Sequence, residues 1–156
     1  MSQKKQKEER KSIAVNRKAR HDYAVLETYE AGIALTGTEV KSCRASGVNL
    51  SDSYACIING QLRLIGTHIS LYDQGNIFNH EPKRQRILLM HKREIFRLKK
   101  SIEAKGLTLI PLSMYFSDKG KIKVELGLCR GKNTVDKRED MKKKMDELDI
   151  KRAVKR

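Results

Sequence analysis

Nineteen carboxylates, four histidines and three cysteines are the groups in this chain that could act as acids, bases, nucleophiles or metal ligands. Their spacing supports none of these roles. His21, His68, His80 and His91 are scattered and form no metal-ligand set. Cys43, Cys56 and Cys129 are odd in number, widely spaced and without a CxxC pair, so they read as buried or half-buried thiols. No GxxxxGK[ST], GxGxxG or GxSxG occurs. Gly127 and Gly131 bracket a short run, but no phosphate-binding helix follows it. No nucleophile lies beside a base, and the reading is of a chain that is not an enzyme and needs no cofactor or metal.

Cations are the other candidates for chemistry. One cluster is Asn16-Arg17-Lys18-Ala19-Arg20-His21, which enters the first clear predicted strand. A second is Lys83-Arg84-Gln85-Arg86, which enters a later one. Guanidinium groups bind phosphate in a bidentate way, and Asn and His add donors to phosphate or ribose. A charge run is usually a solvated face, but two runs at strand entrances point toward a polyanion.

The overall charge points the same way. The 156 residues carry a net charge of +15. Residues 1–20 hold eight Lys/Arg against two Glu, residues 130–156 hold eleven against six acids, and the 109 residues between hold fifteen against eleven. The excess therefore sits mostly at the two ends, around a nearly balanced body. No stretch approaches the ~18 apolar residues that a membrane span needs. Nothing resembles a secretory leader, so the expected location is cytoplasmic, without a membrane partner. Aromatics are few and Trp is absent, which favours a folded RNA read by shape, phosphate and 2′-OH over single strands stacked on rings.

The elements that would position these groups can be read from periodicity. Residues 1–12 are polar and aperiodic, a disordered basic arm. Two short strands follow, around 23–28 and 33–35, broken by a bend at Glu30-Ala31-Gly32. Residues 38–45 read as a helix capped by Thr38. Asn59-Gly60 between two apolar runs marks a hairpin over 53–65. Residues 72–86 form a loop. Ile95, Leu98 and Ile102 give one apolar face to a helix over 91–105, stopped by Gly106. Strands at 107–116 and 121–128 meet at a turn over 117–120. The fold class is mainly β: an OB-type, six-stranded antiparallel barrel over 13–130 with two or three flanking helices. The tail, 131–156, places Met141, Met145 and Leu148 on one helical face. It is expected to be disordered when free and to fold on a partner, a helix docked on the barrel being the alternative.

Several runs resemble the SsrA-binding protein (small protein B) family of bacteria. They are Asn16 to Tyr23 (NRKARHDY), Glu27 to Ile33 (ETYEAGI), Gly37 to Ser42 (GTEVKS), Asn49 to Tyr54 (NLSDSY), Asn76 to Pro82 (NIFNHEP), His91 to Ile95 (HKREI) and Asp136 to Arg138 (DKR). The resemblance implies an OB barrel that grips the tRNA-like domain of transfer-messenger RNA. It also implies delivery of that RNA to stalled ribosomes in trans-translation, within a complex that includes elongation factor Tu. The protein would act as a monomer, with its tail probing the empty mRNA channel beside the decoding site. Carried over residue by residue, the RNA contacts are Asn16, Arg17, Lys18, Arg20, His21, Glu30, Leu89 and Lys123, joined by Arg84 and Arg86 from the second cluster. The tail residues are Gly131, Lys132, Asp136, Lys137 and Arg138. Where the family often has Gly-Lys-Lys, this chain has Gly131-Lys132-Asn133. An acid at position 30 can accept from base amino groups or ribose hydroxyls, hold a neighbouring Arg, or sit in a barrel ion pair.

Overall fold

The computed structural model describes residues 11–73 and 79–131. In chain order the elements are β1 (Lys11–Val15), α1 (Arg17–Asp22), β2 (Tyr23–Ile33), α2 (Gly37–Arg44) and β3 (Val48–Asn49). Then come β4 (Tyr54–Ile58), β5 (Gln61–Ile65), β6 (His68–Ile69), β7 (Arg86–Leu89), α3 (Lys92–Lys105), β8 (Thr108–Phe116) and β9 (Ile122–Gly131).

Six antiparallel strands close a ring in the order β8-β4-β5-β7-β2-β9, with β9 returning to β8. Closure pairs every wall strand on both sides and so leaves no long edge. The weakest seam is β4 against β8, paired only at Ala55 and Leu109. Just beyond it, β1 takes the same edge of β8, pairing with residues 113–116. Lys11 and Ser12 therefore belong to a strand, and the structured body begins before the predicted boundary at residue 13. The short β3 and β6 form a separate two-stranded sheet.

Three local readings change. Residues 23–33 are one strand, not two. Gly32 stays in the ladder, opposite Leu89 on one side and Lys123 on the other. Glycine is there because of close approach: a Cβ would sit 3.3 Å from the Cβ of Leu89. The irregularity in β2 lies instead between Val25 and Glu27. The cap of α2 is Thr36, not Thr38. The Thr36 hydroxyl accepts from the Glu39 N–H, and the Glu39 carboxylate accepts from the Thr36 N–H at 2.9 Å, a reciprocal capping box. Thr38 pairs instead with Nδ1 of His80 at 2.9 Å. The hairpin turn is as read, with positive φ at both Asn59 and Gly60.

The barrel core gathers Leu62, Leu64, Leu88, Leu109, Met114, Val124 and Leu126 from the inner faces of the wall. Helix α3 adds Leu98 to this cluster and packs Ile95 and Ile102 against it. Gly106 ends α3 in the left-handed region, where glycine has no Cβ penalty. Within the 72–86 loop, the side-chain amide of Asn79 accepts from the Tyr72 N–H and donates to the Tyr72 C=O.

Candidate nucleic-acid interface

Helix α1 turns the first cation cluster into a surface. Asn16 is buried, and its side chain serves the fold. Its Oδ1 accepts from the Ala19 N–H at 3.1 Å, capping the helix, while its Nδ2 donates to the carbonyls of Leu50 and Pro111. Ala19 is the buried contact of α1, packed with Ile110, Leu112 and Cys129 on the outer side of β8 and β9. Gly127 clears room there, since a Cβ would lie 3.0 Å from both the Cys129 sulfur and a Leu112 methyl. With one face anchored, Arg17, Lys18, Arg20 and His21 are left exposed. Lys18 Nζ bonds Asp52 at 2.9 Å, and that hydrogen bond raises its pKa. Both partners are largely exposed, so Lys18 can exchange Asp52 for another anion. His21 Nδ1 lies 3.1 Å from Asp22.

The same outer face continues down the strands. Strand register places Glu30 beside Glu125, and Gly32 beside both Lys123 and Leu89. Across β9, Glu125 meets Ser113 and Lys123 meets Tyr115. The Ser113 hydroxyl donates to Glu125 at 3.1 Å. The phenol of Tyr115, only 5% exposed, donates to the exposed carboxylate of Glu30. A groove of about 390 Å³ runs over Gly32, Leu35, Val40, Leu89, Ile122 and Lys123, and Leu89 is 58% exposed at its side. One face therefore collects Arg17, Lys18, Arg20, His21, Glu30, Lys123 and Leu89, although they come from four separate segments. A cationic end, a carboxylate oriented by a phenol and an apolar groove with a lysine can bind phosphate, ribose and base edges together.

The second cluster does not join this face as read. Arg86 has zero exposure, so it is a core residue and not a surface cation. Its Nε donates to Glu39 Oε2 at 2.5 Å, Nη1 to the Thr67 carbonyl at 2.7 Å and Nη2 to the Pro82 carbonyl at 3.0 Å. Burial lowers the Arg86 pKa, and Glu39 opposes the shift. Arg84 is half-buried and donates from Nη2 to the other Glu39 oxygen at 2.5 Å. Glu39 is itself fully buried. Burial pushes its carboxyl up, but hydrogen bonds from Arg84, the Thr36 N–H and Arg86 outweigh that and hold it below its ordinary value. This trio ties α2 to β7 and to the end of the 72–86 loop. Asn16 acts within the fold as a positioning residue, its side-chain oxygen and nitrogen both bonded internally.

Reasoning from sequence missed Tyr115 and the partnership of Glu39 with Arg84 and Arg86. The Thr36-x-x-Glu39 spacing was a visible signal for the cap; the partnership crosses 45 residues and had none. Gly131 ends β9 opposite Tyr23, at the α1 end of the face. Lys132, Asp136, Lys137 and Arg138 lie outside the described residues. Burial pushes the Cys43 and Cys129 thiols up to about 11, and it raises Cys56, so the thiols are poor nucleophiles at neutral pH.

Three comparisons place these features among known proteins. The family model described as SmpB protein matches residues 13–156. A protein named SsrA-binding protein from Carboxydothermus hydrogenoformans is 61% identical over 145 residues, covering 92% of this chain and 96% of that one. One of the same name from Ligilactobacillus salivarius is 54% identical over 151 residues, 97% of each chain. A solved structure described as "tmRNA-SmpB: a journey to the center of the bacterial ribosome" contains a similar chain. It aligns with a TM-score of 0.65 at 53% identity, over 78% of this chain and 85% of that one.

Proposed function

This chain belongs to the SmpB protein family, and from that premise we propose that it binds the tRNA-like domain of transfer-messenger RNA and carries it to stalled ribosomes for trans-translation. It does so as a binding protein and not as an enzyme. The observation that carries the reading is the gathering of Arg17, Arg20, His21, Glu30, Leu89 and Lys123 on one outer face of the barrel. The cations of α1 engage phosphates. Glu30, aimed by Tyr115, accepts from base amino or ribose hydroxyl groups. Leu89 and Lys123 close the far end. Arg84 and Arg86 support this face from beneath by fixing β7, and Asn16 supports it by capping α1.

Strand β9 ends with Gly131 at the α1 end of the same face. In the proposed function the basic tail after it, with Lys132, Asp136, Lys137 and Arg138, enters the empty mRNA channel beside the decoding site. The chain works as a monomer in the cytoplasm, inside a delivery complex that includes elongation factor Tu. Among the described residues no helix is long and apolar enough to cross a membrane.

The test is competition between the tRNA-like domain and an unstructured RNA of equal length at near-physiological salt. The tRNA-like domain should win, with a log–log salt slope of roughly −4 to −7 for five to eight phosphates. Equal affinity for both RNAs would reduce the chain to a general single-strand binder. A chain ending before Asp136 should bind the RNA normally yet fail to support tagging of stalled peptides, and full tagging would remove the tail from the mechanism.

A further inference from the structure

The outer wall of the barrel is hollowed where β4 meets β8. Those strands share only the Ala55–Leu109 pair, and α1 lies over the outside of β8. Between them is a cleft of about 280 Å³, whose lining includes Lys18, Asp22, Tyr23, Asp52, Ser53 and Tyr54. Its rim is fixed from beneath. The Asn16 Nδ2 and the Ser53 N–H both donate to the Leu50 carbonyl at 3.1 Å. The Ser53 hydroxyl, 3% exposed, accepts from the Thr67 hydroxyl at 3.0 Å. Asp52, just before it, takes a φ of 63°, a left-handed conformation that Asp tolerates better than most residues. Gly66 leaves room for this turn, since a Cβ there would lie 3.0 Å from the Asp52 carbonyl oxygen. The Asp52 carboxylate thus stands on a fixed turn at the edge of the cleft, 78% exposed. Its Oδ1 accepts from Lys18 at 2.9 Å, and among the described residues its Oδ2 has no hydrogen-bond partner.

The charges in this cleft disfavour simple ions. A phosphate alone meets Asp22 and Asp52, and a cation alone meets Lys18 on a chain of net charge +15. A nucleotide satisfies both signs: its phosphate suits Lys18, and its base can offer donors to Asp52. On the Watson–Crick edge, guanine alone carries two adjacent donors, N1–H and N2–H, and these match the two oxygens of one carboxylate. Adenine, cytosine and uracil each place an acceptor beside the donor, which sets a lone pair against the carboxylate. Tyr23, half-buried, and Tyr54, 44% exposed, supply ring surface for a base. The Watson–Crick edge is open to such a contact only in an unpaired nucleotide, as in loops and bulges.

We propose that Lys18, Tyr23, Asp52 and Tyr54 form a pocket for one unpaired guanine of the bound RNA, with Asp52 as the residue that selects the base. Given the proposed function, that guanine belongs to the tRNA-like domain, and the pocket adds the identity of one base to the phosphate contacts of α1. Lys18 moves from Asp52 to the phosphate of the same nucleotide, which frees both carboxylate oxygens for N1–H and N2–H.

The test uses the full chain and the isolated tRNA-like domain, transcribed with sparse inosine in place of guanosine. Inosine lacks only the 2-amino group. RNA bound by the wild-type chain is separated from unbound RNA, and the inosine positions in each are mapped. At one unpaired guanine, inosine should be depleted from the bound fraction about 5- to 10-fold, and adenine placed there should weaken binding roughly 10- to 50-fold. Asp52→Asn keeps the left-handed turn but sets a donor against one of the guanine donors. It should bind the normal RNA about 10-fold more weakly and separate guanine from adenine by less than about 2-fold. Tyr54→Ala should lose roughly 5-fold and keep the guanine preference, because a ring stacks on either purine. If Asp52 did no more than occupy Lys18 or repel phosphate, Asp52→Asn would bind more tightly, and that result overturns the proposal. An even spread of inosine between bound and unbound RNA overturns it whatever the variants do. Inosine depletion that persists unchanged in Asp52→Asn also overturns it, by giving the guanine to another residue. Equal affinity of the wild-type chain for the tRNA-like domain and for unstructured RNA refutes the proposed function instead, and inosine depletion in the RNA that it does bind still reports on the pocket.

Discussion

Glu39→Gln keeps the shape of a side chain but removes its charge and turns one of its two acceptor oxygens into a donor. At this position the charge holds two guanidinium groups, each 2.5 Å from a carboxylate oxygen, one of them (Arg86) as buried as Glu39 itself and the other (Arg84) half-buried. The variant leaves Arg86 buried with its carbonyl partners but without a counter-ion. Breaking a buried pair by removing one partner costs about 3–5 kcal/mol. For a body of this size, that is a fall in Tm of roughly 10–20 °C. Equilibrium urea unfolding of the full chain measures it directly. The double replacement Glu39→Leu/Arg86→Met removes both charges and should recover most of the loss, because the pair itself contributes little beyond offsetting its own desolvation. The pH dependence has a fixed sign. Glu39 is held below its ordinary value, so its contribution is complete above the usual carboxylate pKa of about 4.3 and is lost as pH falls through the folded value. The gap between wild type and Glu39→Gln should therefore be widest near pH 7 and narrow below about pH 4. A cost under about 1 kcal/mol at pH 7, or a gap that widens in acid, would refute the buried network.

The first face yields three more predictions. Tyr115→Phe should stay folded, at a cost of about 1 kcal/mol, and weaken binding to the tRNA-like domain several-fold by releasing Glu30; adding Glu30→Gln should then weaken it little further, as a filter-binding cycle will show. Arg17→Ala and Arg20→Ala should each make the salt slope shallower by about 0.7 to 1, whereas Lys18→Ala should cost less affinity because Lys18 must first leave Asp52. Gly127→Ala forces a methyl against Cys129 and Leu112; it should destabilise the chain by about 1–3 kcal/mol and displace α1, visible as a loss of RNA affinity larger than the loss of stability alone explains.

What the sequence made legible was local. Asn59-Gly60 is a turn because both residues must take positive φ, and the structure places them there. Ile95, Leu98 and Ile102 declare the buried side of α3 by spacing alone. The cations of residues 17–21 are exposed because α1 has one small buried contact, Ala19, and little else to hide. The errors came where distant segments meet. Arg84 and Arg86 look alike in a list of basic residues, yet only contact with Glu39 and the Thr67 and Pro82 carbonyls makes Arg86 a core side chain. Gly32 looks like a bend until Leu89 is seen to press against it. Strand β1 was hidden because Lys11-Ser12 is polar, and its hydrogen bonds come from β8, about a hundred residues away.

The closing pattern of the barrel has a consequence for how the chain is made. Among the described residues, the two strands nearest the N-terminus, β1 and β2, find partners in β8 and β9, the last two to be synthesised. Until residue 131 has been added, β2 lacks its longest neighbour and the wall stands open, with unpaired edges that invite aggregation. Closure of the ring must wait until residue 131 has been made, so β1 and β2 remain without these partners while about a hundred residues are added. Such long-range pairing is intrinsically slow. A prematurely ended copy is then not a weaker version of this protein but an unfinished ring, which proteases should clear readily.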